Sequence, residues 1–460
     1  MRSPIALLLA AAAILCSAAP ATAERYAPGG EGPRRPARAS EFARASAAKS
    51  SGGSANGARG FSSGRAGAAK GAARRPPKRS KPKPKPGLHG NPARALIAFA
   101  AMQQAFYIPG TGLYLGEPYS FLWPFSQALA ATIRVADIPG QEAKQARCVA
   151  RELHVRLHGL AQYWSEPTSG SEPLPGEQPE EEENAPTEPS ESAGVPPPAL
   201  SSYSGNVVPP AGASYYDDNE WIGIELMRLY ELRHEPALLE RAEQIMQFVM
   251  AGWQTNPKLA CPGGVPFSNA PSNTDRNTVT DGPGAELALQ LYRSTGDAAY
   301  LQFAEMAYEW VRRCLLQPSG LYADHIRQHG VIDPTLWSYN QGSMIGAGVL
   351  LYQATHNTGF LYQARQTAKA ALAYFTIERL LGENPFFVSV YLRNLMYLDS
   401  VTRDPPGGRL AQEYIDYAWE NRRLSDGLFV FGAPPSSQLL VQAAMVQIYA
   451  LLSTKPSTYF

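Results

Sequence analysis

Cysteine and histidine are scarce in this chain: 460 residues hold four cysteines and seven histidines. Cys148, Cys261 and Cys314 are scattered, and Cys16 lies in the N-terminal apolar stretch. No C-x-x-C pair or Cys/His cluster has metal-binding spacing. A disulfide framework is excluded on the same ground; one bridge plus one thiol is admissible, and buried small apolar residues are the expectation. Nothing in the sequence asks for a metal or a cofactor. Long apolar runs are absent beyond residue 23, so no membrane-spanning helix is expected. An excess of one charge is missing too, since 41 Lys and Arg face 40 Asp and Glu.

That balance hides a segregation along the chain. Residues 1–23 open Met-Arg, run through IALLLAAAAIL and end Ala21-Thr22-Ala23, the layout of a secretory signal peptide cut near Ala23. An exported protein is therefore expected, extracellular, cell-surface or periplasmic. Residues 24–90 are Ala, Gly, Ser and Pro studded with Arg and Lys, ending RRPPKRSKPKPKPG, too apolar-poor to offset chain entropy. This basic arm suits acidic wall polymers or a membrane surface. Nucleic acid is disfavoured by export and by the lack of stacking aromatics. An acidic, proline-rich counterpart at 165–200 reads as a disordered insertion, with irregular chain expected through 212.

The remainder, 91–456, has apolar residues at helical spacing. Three stretches repeat: LMRLYELRHEPALLERAEQI, LALQLYRSTGDAAYLQFAEMA and GVLLYQATHNTGFLYQARQTA. Each has a Tyr followed nine residues later by Leu and twelve later by Ala: Tyr230/Leu239/Ala242, Tyr292/Leu301/Ala304 and Tyr352/Leu361/Ala364. The tyrosines recur at about 60 residues, a helix–turn–helix unit. Twelve helices are expected, at 91–106, 125–137, 141–162, 217–233, 236–253, 284–294, 298–314, 343–355, 361–380, 388–402, 408–421 and 437–452. They make six hairpins, an all-α (α/α)6 barrel. An open superhelix is the rival; closure is favoured because the last unit stops at Thr454 without a polar capping repeat.

Polar motifs precede the repeat tyrosines by 11 to 13 residues, at Asp217, Asp281 and Asn340. Parallel helices would collect them at one mouth, with FLWPF (121–125) and FGAPPSS joining. The expected site is Trp123, Tyr216, Asp217, Asp218, Trp221, Arg276, Asn277, Asp281, Trp337, Tyr339, Asn340 and Gln341. Singly, each has a plain structural reading: Asp217-x-x-Glu220 fits a capping box, Asp281 and Asn340 could be caps, and a lone Trp is usually core. Together, aromatic faces with acids and amides suit a sugar. The adjacent Asp217 and Asp218 diverge by about 100° on a helix start, which spaces their carboxyls for glycosidic cleavage. A DDxxE magnesium–diphosphate reading lacks a second acidic motif.

YYDDNEW (215–221), DRNTVTDGPGAELALQLYRSTGDAAYL (275–301), GLYADHI (320–326) and WSYNQGSMIGA (337–347) resemble glycoside hydrolase family 76, the endo-α-1,6-mannanases. The resemblance implies an α/α six-hairpin barrel with a groove across one mouth and an α-mannan or mannooligosaccharide substrate. It implies a retaining double displacement with Asp217 as nucleophile and Asp218 as acid/base. Asn340 and Gln341 would then lie in the groove, and Asn277 and Asp281 in the turn before an inner helix. Gly263-Gly264-Val265-Pro266-Phe267 departs from the family, where Trp is expected soon after Gly-Gly. Transglycosylation of envelope glycans, and carbohydrate binding without chemistry, are the alternatives.

Overall fold

The computed structural model describes residues 89–166, 200–209, 212–433 and 438–460. The expected signal peptide, all but the last two residues of the basic arm, and residues 167–199 lie outside that set. Thirteen α-helices run through the described residues: α1 (Asn91–Phe106), α2 (Leu122–Ala136), α3 (Ala143–Leu160), α4 (Tyr216–Arg233), α5 (Pro236–Ala251), α6 (Thr278–Thr295), α7 (Ala298–Cys314), α8 (Ser338–Thr355), α9 (Thr358–Tyr374), α10 (Ile377–Gly382), α11 (Pro385–Thr402), α12 (Pro406–Asn421) and α13 (Gln438–Leu451).

Six of them form a closed inner ring. Around it α2, α4, α6, α8, α11 and α13 each pack on the next, and α13 packs back on α2. The outer layer consists of α3, α5, α7, α9 and α12, each returning beside the inner helix before it, while α1 covers α13. The sixth hairpin is thus assembled from the first and last helices, which is how the ring shuts. The chain is the expected (α/α)6 barrel.

Position in the layers explains composition. Helix α5 buries one stripe, Leu238, Ala242, Ile245 and Val249, and leaves its other face to water. Helix α4 is buried from Tyr216 to Leu229, because it lies between the outer layer and the barrel axis. Polar residues on inner helices therefore end up inside.

The repeat tyrosines close the inner helices. The carbonyls of Tyr230, Tyr292 and Tyr352 accept the N–H groups of His234, Gly296 and His356 at 2.7, 2.8 and 2.8 Å. All three donors take the left-handed conformation that ends a helix. Ala242, Ala304 and Ala364 are fully buried, where only a methyl fits between layers. Asp297 and Asn357 cap the outgoing helices, accepting from Ala299 and Gly359 at 2.9 Å each.

Three expectations need correcting. Helices α6 and α8 begin at Thr278 and Ser338, six and five residues before their expected starts at 284 and 343. Burial on all sides outweighs the breaking tendency of Gly282-Pro283-Gly284 and Gly342. The ends of the acidic insertion are built into the fold: Trp164–Ser165 (β1) pairs antiparallel with Ser202–Tyr203 (β2), and Tyr203 is buried. Finally, Cys261 and Cys314 form a disulfide across 53 residues, with Cα atoms 6.1 Å apart. Two residues distant in sequence meet because α7 returns to the loop that precedes α6.

Candidate active site

The inner helices all start at one mouth, and their starts are tied to one another. Leu122 at the head of α2 donates to Gly205 before α4 (2.8 Å), and Tyr216 at the head of α4 donates to Phe267 before α6 (3.0 Å). A three-stranded sheet, Arg276–Asn277 (β3), His325–Ile326 (β4) and Ile332–Asp333 (β5), links the approaches to α6 and α8. Ser338 at the head of α8 donates to Glu383, just before α11, at 2.9 Å.

Amides clamp these loops at the same depth. Asn219, fourth residue of α4, bonds both backbone groups of Tyr203 at 2.8 and 2.9 Å. Gln341, fourth residue of α8, bonds both of Tyr322 at 2.8 and 2.9 Å. Gln442 does the same to Phe429 in α13. Asp281 occupies that fourth position in α6 and accepts from Val265 at 3.2 Å.

With the frame set by these clamps, the catalytic candidates are free of capping duty. The N-cap of α4 is Tyr215, so Asp217 and Asp218 are the second and third helical residues and the capping box is absent. Both are nearly buried, 6% and 7% exposed. The helix N-terminus favours negative charge there. Asp281 and Asn340 are not caps either, since Asn277 and Trp337 hold those positions. Asn340 donates from Nδ2 to Asp324 at 2.9 Å, while its Oδ1 and that of Asn277 are buried without a hydrogen-bond partner. Buried acceptors left without a partner are uncommon in folded proteins.

Other expected site residues serve the scaffold. Tyr216 is fully buried and stacks on Phe248 with centroids 4.4 Å apart. Trp221 is buried beneath the Arg393 guanidinium, 5.9 Å from its ring. Arg276 donates to the carbonyls of Ala260, Cys261 and Gly263 at 2.7 to 2.9 Å, which occupies the guanidinium on the disulfide loop. Gln341 is committed to its clamp. In that loop Gly263 and Gly264 have φ of 107° and 82°, and a Cβ on either would strike the Trp310 ring. An aromatic thus covers this corner from α7, where the family pattern places a Trp in the loop.

The aromatic wall of the mouth comes from α2, α8 and α11. Phe387 stacks on Tyr339 (4.2 Å) and on Trp123 (5.9 Å), with Trp337 tilted against it at 5.2 Å. Trp123 and Trp337 remain half-buried. Phe386 and Phe387 were missed by sequence reasoning; Asn384-Pro385, a helix start followed by two aromatics, was the available signal. Also missed was the group Asp324, His325 and Asp275, in which His325 Nδ1 lies 3.0 Å from Asp324 and Nε2 3.7 Å from Asp275. The neighbouring carboxylates raise the His325 pKa against the opposing effect of burial, which is the largest single influence.

Electrostatically, burial dominates the acids Asp281 and Glu220 at the mouth. Burial pushes the Asp281 carboxyl well up, against the Val265 N–H and the Arg276 charge. Glu220 is pushed well up by burial and then by Asp217, Asp281 and Glu286. Acids in such surroundings bind protons more tightly than acids in water.

Residues 201–388 match the model of Glycosyl hydrolase family 76. The mannan endo-1,6-alpha-mannosidase DCW1 of Saccharomyces cerevisiae is 26% identical over 175 residues, 35% of this chain and 38% of that protein. Among solved structures, a family 76 glycoside hydrolase (mannosidase) from Bacteroides thetaiotaomicron superposes with TM-score 0.65 at 18% identity, over 79% of this chain and 98% of its own. An alpha-1,6-mannanase of Salegentibacter, described as an inactive variant with two consecutive aspartates replaced by asparagine and bound to alpha-1,6-mannotriose, gives 0.59 at 19%, over 79% and 99%. The family match runs from β2 into α11, along a barrel that these solved proteins share over nearly their whole length, and it is with glycosyl hydrolase family 76 that this chain shares both sequence and fold.

Proposed function

We propose that this protein hydrolyses α-1,6-mannosidic linkages in mannan-type glycans by a retaining double displacement. The observation that carries the reading is the pair of nearly buried, non-capping aspartates, 217 and 218, at the aromatic-lined mouth of a family 76 barrel. The solved mannanase whose variant is inactive has likewise lost two consecutive aspartates, and its ligand is an α-1,6-linked mannose trimer.

In this mechanism the Asp217 carboxylate attacks the anomeric carbon while Asp218 gives its proton to the departing glycosidic oxygen. A glycosyl-enzyme ester forms and the leaving chain departs as an alcohol. Asp218, now a carboxylate, takes a proton from water, which attacks the same carbon and releases Asp217. Trp123, Trp337 and Tyr339 would stack on apolar sugar faces, and Asn277 and Asn340 would accept from hydroxyls. The signal-peptide-like leader would send the enzyme out of the cell's interior, and the basic arm would hold it near an acidic polymer or membrane surface.

The test is product analysis on linkage-defined mannans by the wild type and by Asp217→Asn and Asp218→Asn. Hydrolysis of the α-1,6 polymer, with retained anomeric configuration and loss in both variants, is expected. Wild-type turnover in either folded variant defeats the assignment, and elongation of added mannooligosaccharides would show transfer in place of hydrolysis.

A further inference from the structure

The mechanism uses two acids of α4 and leaves a third without a task. Glu220 is one turn from Asp217, about 4.5 Å deeper along the axis at 1.5 Å per residue. It is fully buried, and neither of its oxygens meets a side-chain donor. A buried carboxylate with no cation is costly, and a change to an apolar residue would remove that cost. The structure instead makes room for the acid: Gly284 of α6 has no side chain, and a Cβ there would stand 3.0 Å from Glu220 Oε1.

Every ionisable group whose field dominates Glu220 is an acid. Asp217 acts on it from its own helix, and Asp281 and Glu286 act from α6, the helix packed against it. Arg393 of α11, the cation paired with one of these acids, is bonded to Glu286 at 2.7 Å. The backbone of Gly284 is what favours a charged Glu220, and burial with three acidic neighbours outweighs it.

We propose that Glu220 is a positioning residue that works as a neutral acid, keeping its proton and offering it as a hydrogen-bond donor on the Asp217 side so that the negative charge of the pair rests on Asp217. A fixed donor below the nucleophile would hold the attacking carboxylate in one orientation, and a second charge there would oppose its ionisation. Glu220 itself transfers no proton in the reaction, so it ends each turnover as it began. This inference rests on the assignment of Asp217 as nucleophile.

Two measurements test it. Infrared difference spectra of the substrate-free protein at neutral pH, wild type against Glu220→Gln, should show the carbonyl stretch of a protonated carboxylic acid that vanishes in the variant. Absence of that band overturns the proposal. In kinetics on α-1,6-mannan, Glu220→Gln should keep kcat within about threefold, because an amide N–H replaces the O–H donor. Glu220→Leu should lower kcat about 10- to 100-fold with KM unchanged, and move the acid limb of the pH profile to higher pH. A folded Leu variant with wild-type kcat and pH profile, or a Gln variant as inactive as Asp217→Asn, overturns it equally. The infrared arm needs no substrate, so a wild type inert toward α-1,6-mannan would defeat the hydrolase reading while the band still decides where the Glu220 proton is.

Discussion

Two sets of buried acids share the interior of the barrel and are treated in opposite ways. Away from the mouth, acids are matched with arginines: Glu225 with Arg134 at 3.0 Å, Glu286 with Arg393 at 2.7 Å, and Asp137 with Arg228 through two bonds at 3.0 and 3.2 Å. The Arg134 pair is completed by the carbonyls of Thr458 and Tyr459 at the chain's end. Toward the mouth, Glu220 and Asp281 are equally buried and lack a bonded cation, and Asp217 and Asp218 sit with them. Matched charges hold inner helices in register. Unmatched ones cost stability and give acids of unusual proton affinity, which a fold retains where chemistry needs them.

The largest expected effect comes from the acids at the mouth. Asp217→Asn or Asp218→Asn should lower kcat/KM on α-1,6-mannan by at least about 10³-fold, or ~4 kcal/mol of barrier. Neither should lower the thermal midpoint, since an amide relieves repulsion among the acids; a marked drop would show that these carboxylates hold the barrel together.

Breaking a matched pair should do the reverse. Arg393→Met leaves Glu286 buried without its cation and should cost about 3–5 kcal/mol in denaturant unfolding, with much of it recovered by adding Glu286→Gln. A cost that the second change does not recover would mean that Arg393 acts through packing on Trp221 and Phe460. Loss of the Cys261–Cys314 bridge in Cys314→Ala should cost about 2–4 kcal/mol.

Proton linkage supplies a gentler probe. Burial pushes Glu286 and Glu383 up to about 7 and Asp399 up to about 6. Between roughly pH 4.5 and 7 the folded protein binds protons that the unfolded chain has released, so stability falls as pH rises through that window. Glu383→Gln, which still accepts from Ser338, should flatten part of the slope in melts taken from pH 4.5 to 8. An unchanged slope would remove Glu383 from the account. The smallest effect is expected from Asp297→Ala, a cap on the outer layer, at about 1 kcal/mol with hydrolysis unchanged.

The contrast between matched and unmatched acids was only half legible in the sequence. The Asp217–Asp218 pair was visible because two acids among aromatics exceed what a capping box needs. Asn340 was placed by its distance from a repeat tyrosine and Asn277 was grouped with it; the Oδ1 atoms of both are buried without a hydrogen-bond partner. Tyr216, Trp221, Arg276 and Gln341 were grouped with them by the same spacing, but spacing fixes depth along a helix and not the direction of a side chain. Glu220 read as one end of a capping box and Glu225 had no reading of its own, since nothing in a short window tells an inner helix from an outer one.

The helical spacing of apolar residues, the 60-residue tyrosine register and the turn residues STGD and THNTG settle by themselves that this chain folds as helical hairpins, because they act through local backbone geometry. Which partner each acid receives was decided only by closure of the ring, where α1 joins α13 and arginines of α2 and α11 arrive beside Glu225 and Glu286. Charge pairing across the barrel joins residues about 90 to 107 positions apart. No local pattern encodes such a meeting; it exists once six inner helices share an axis and exclude water from it.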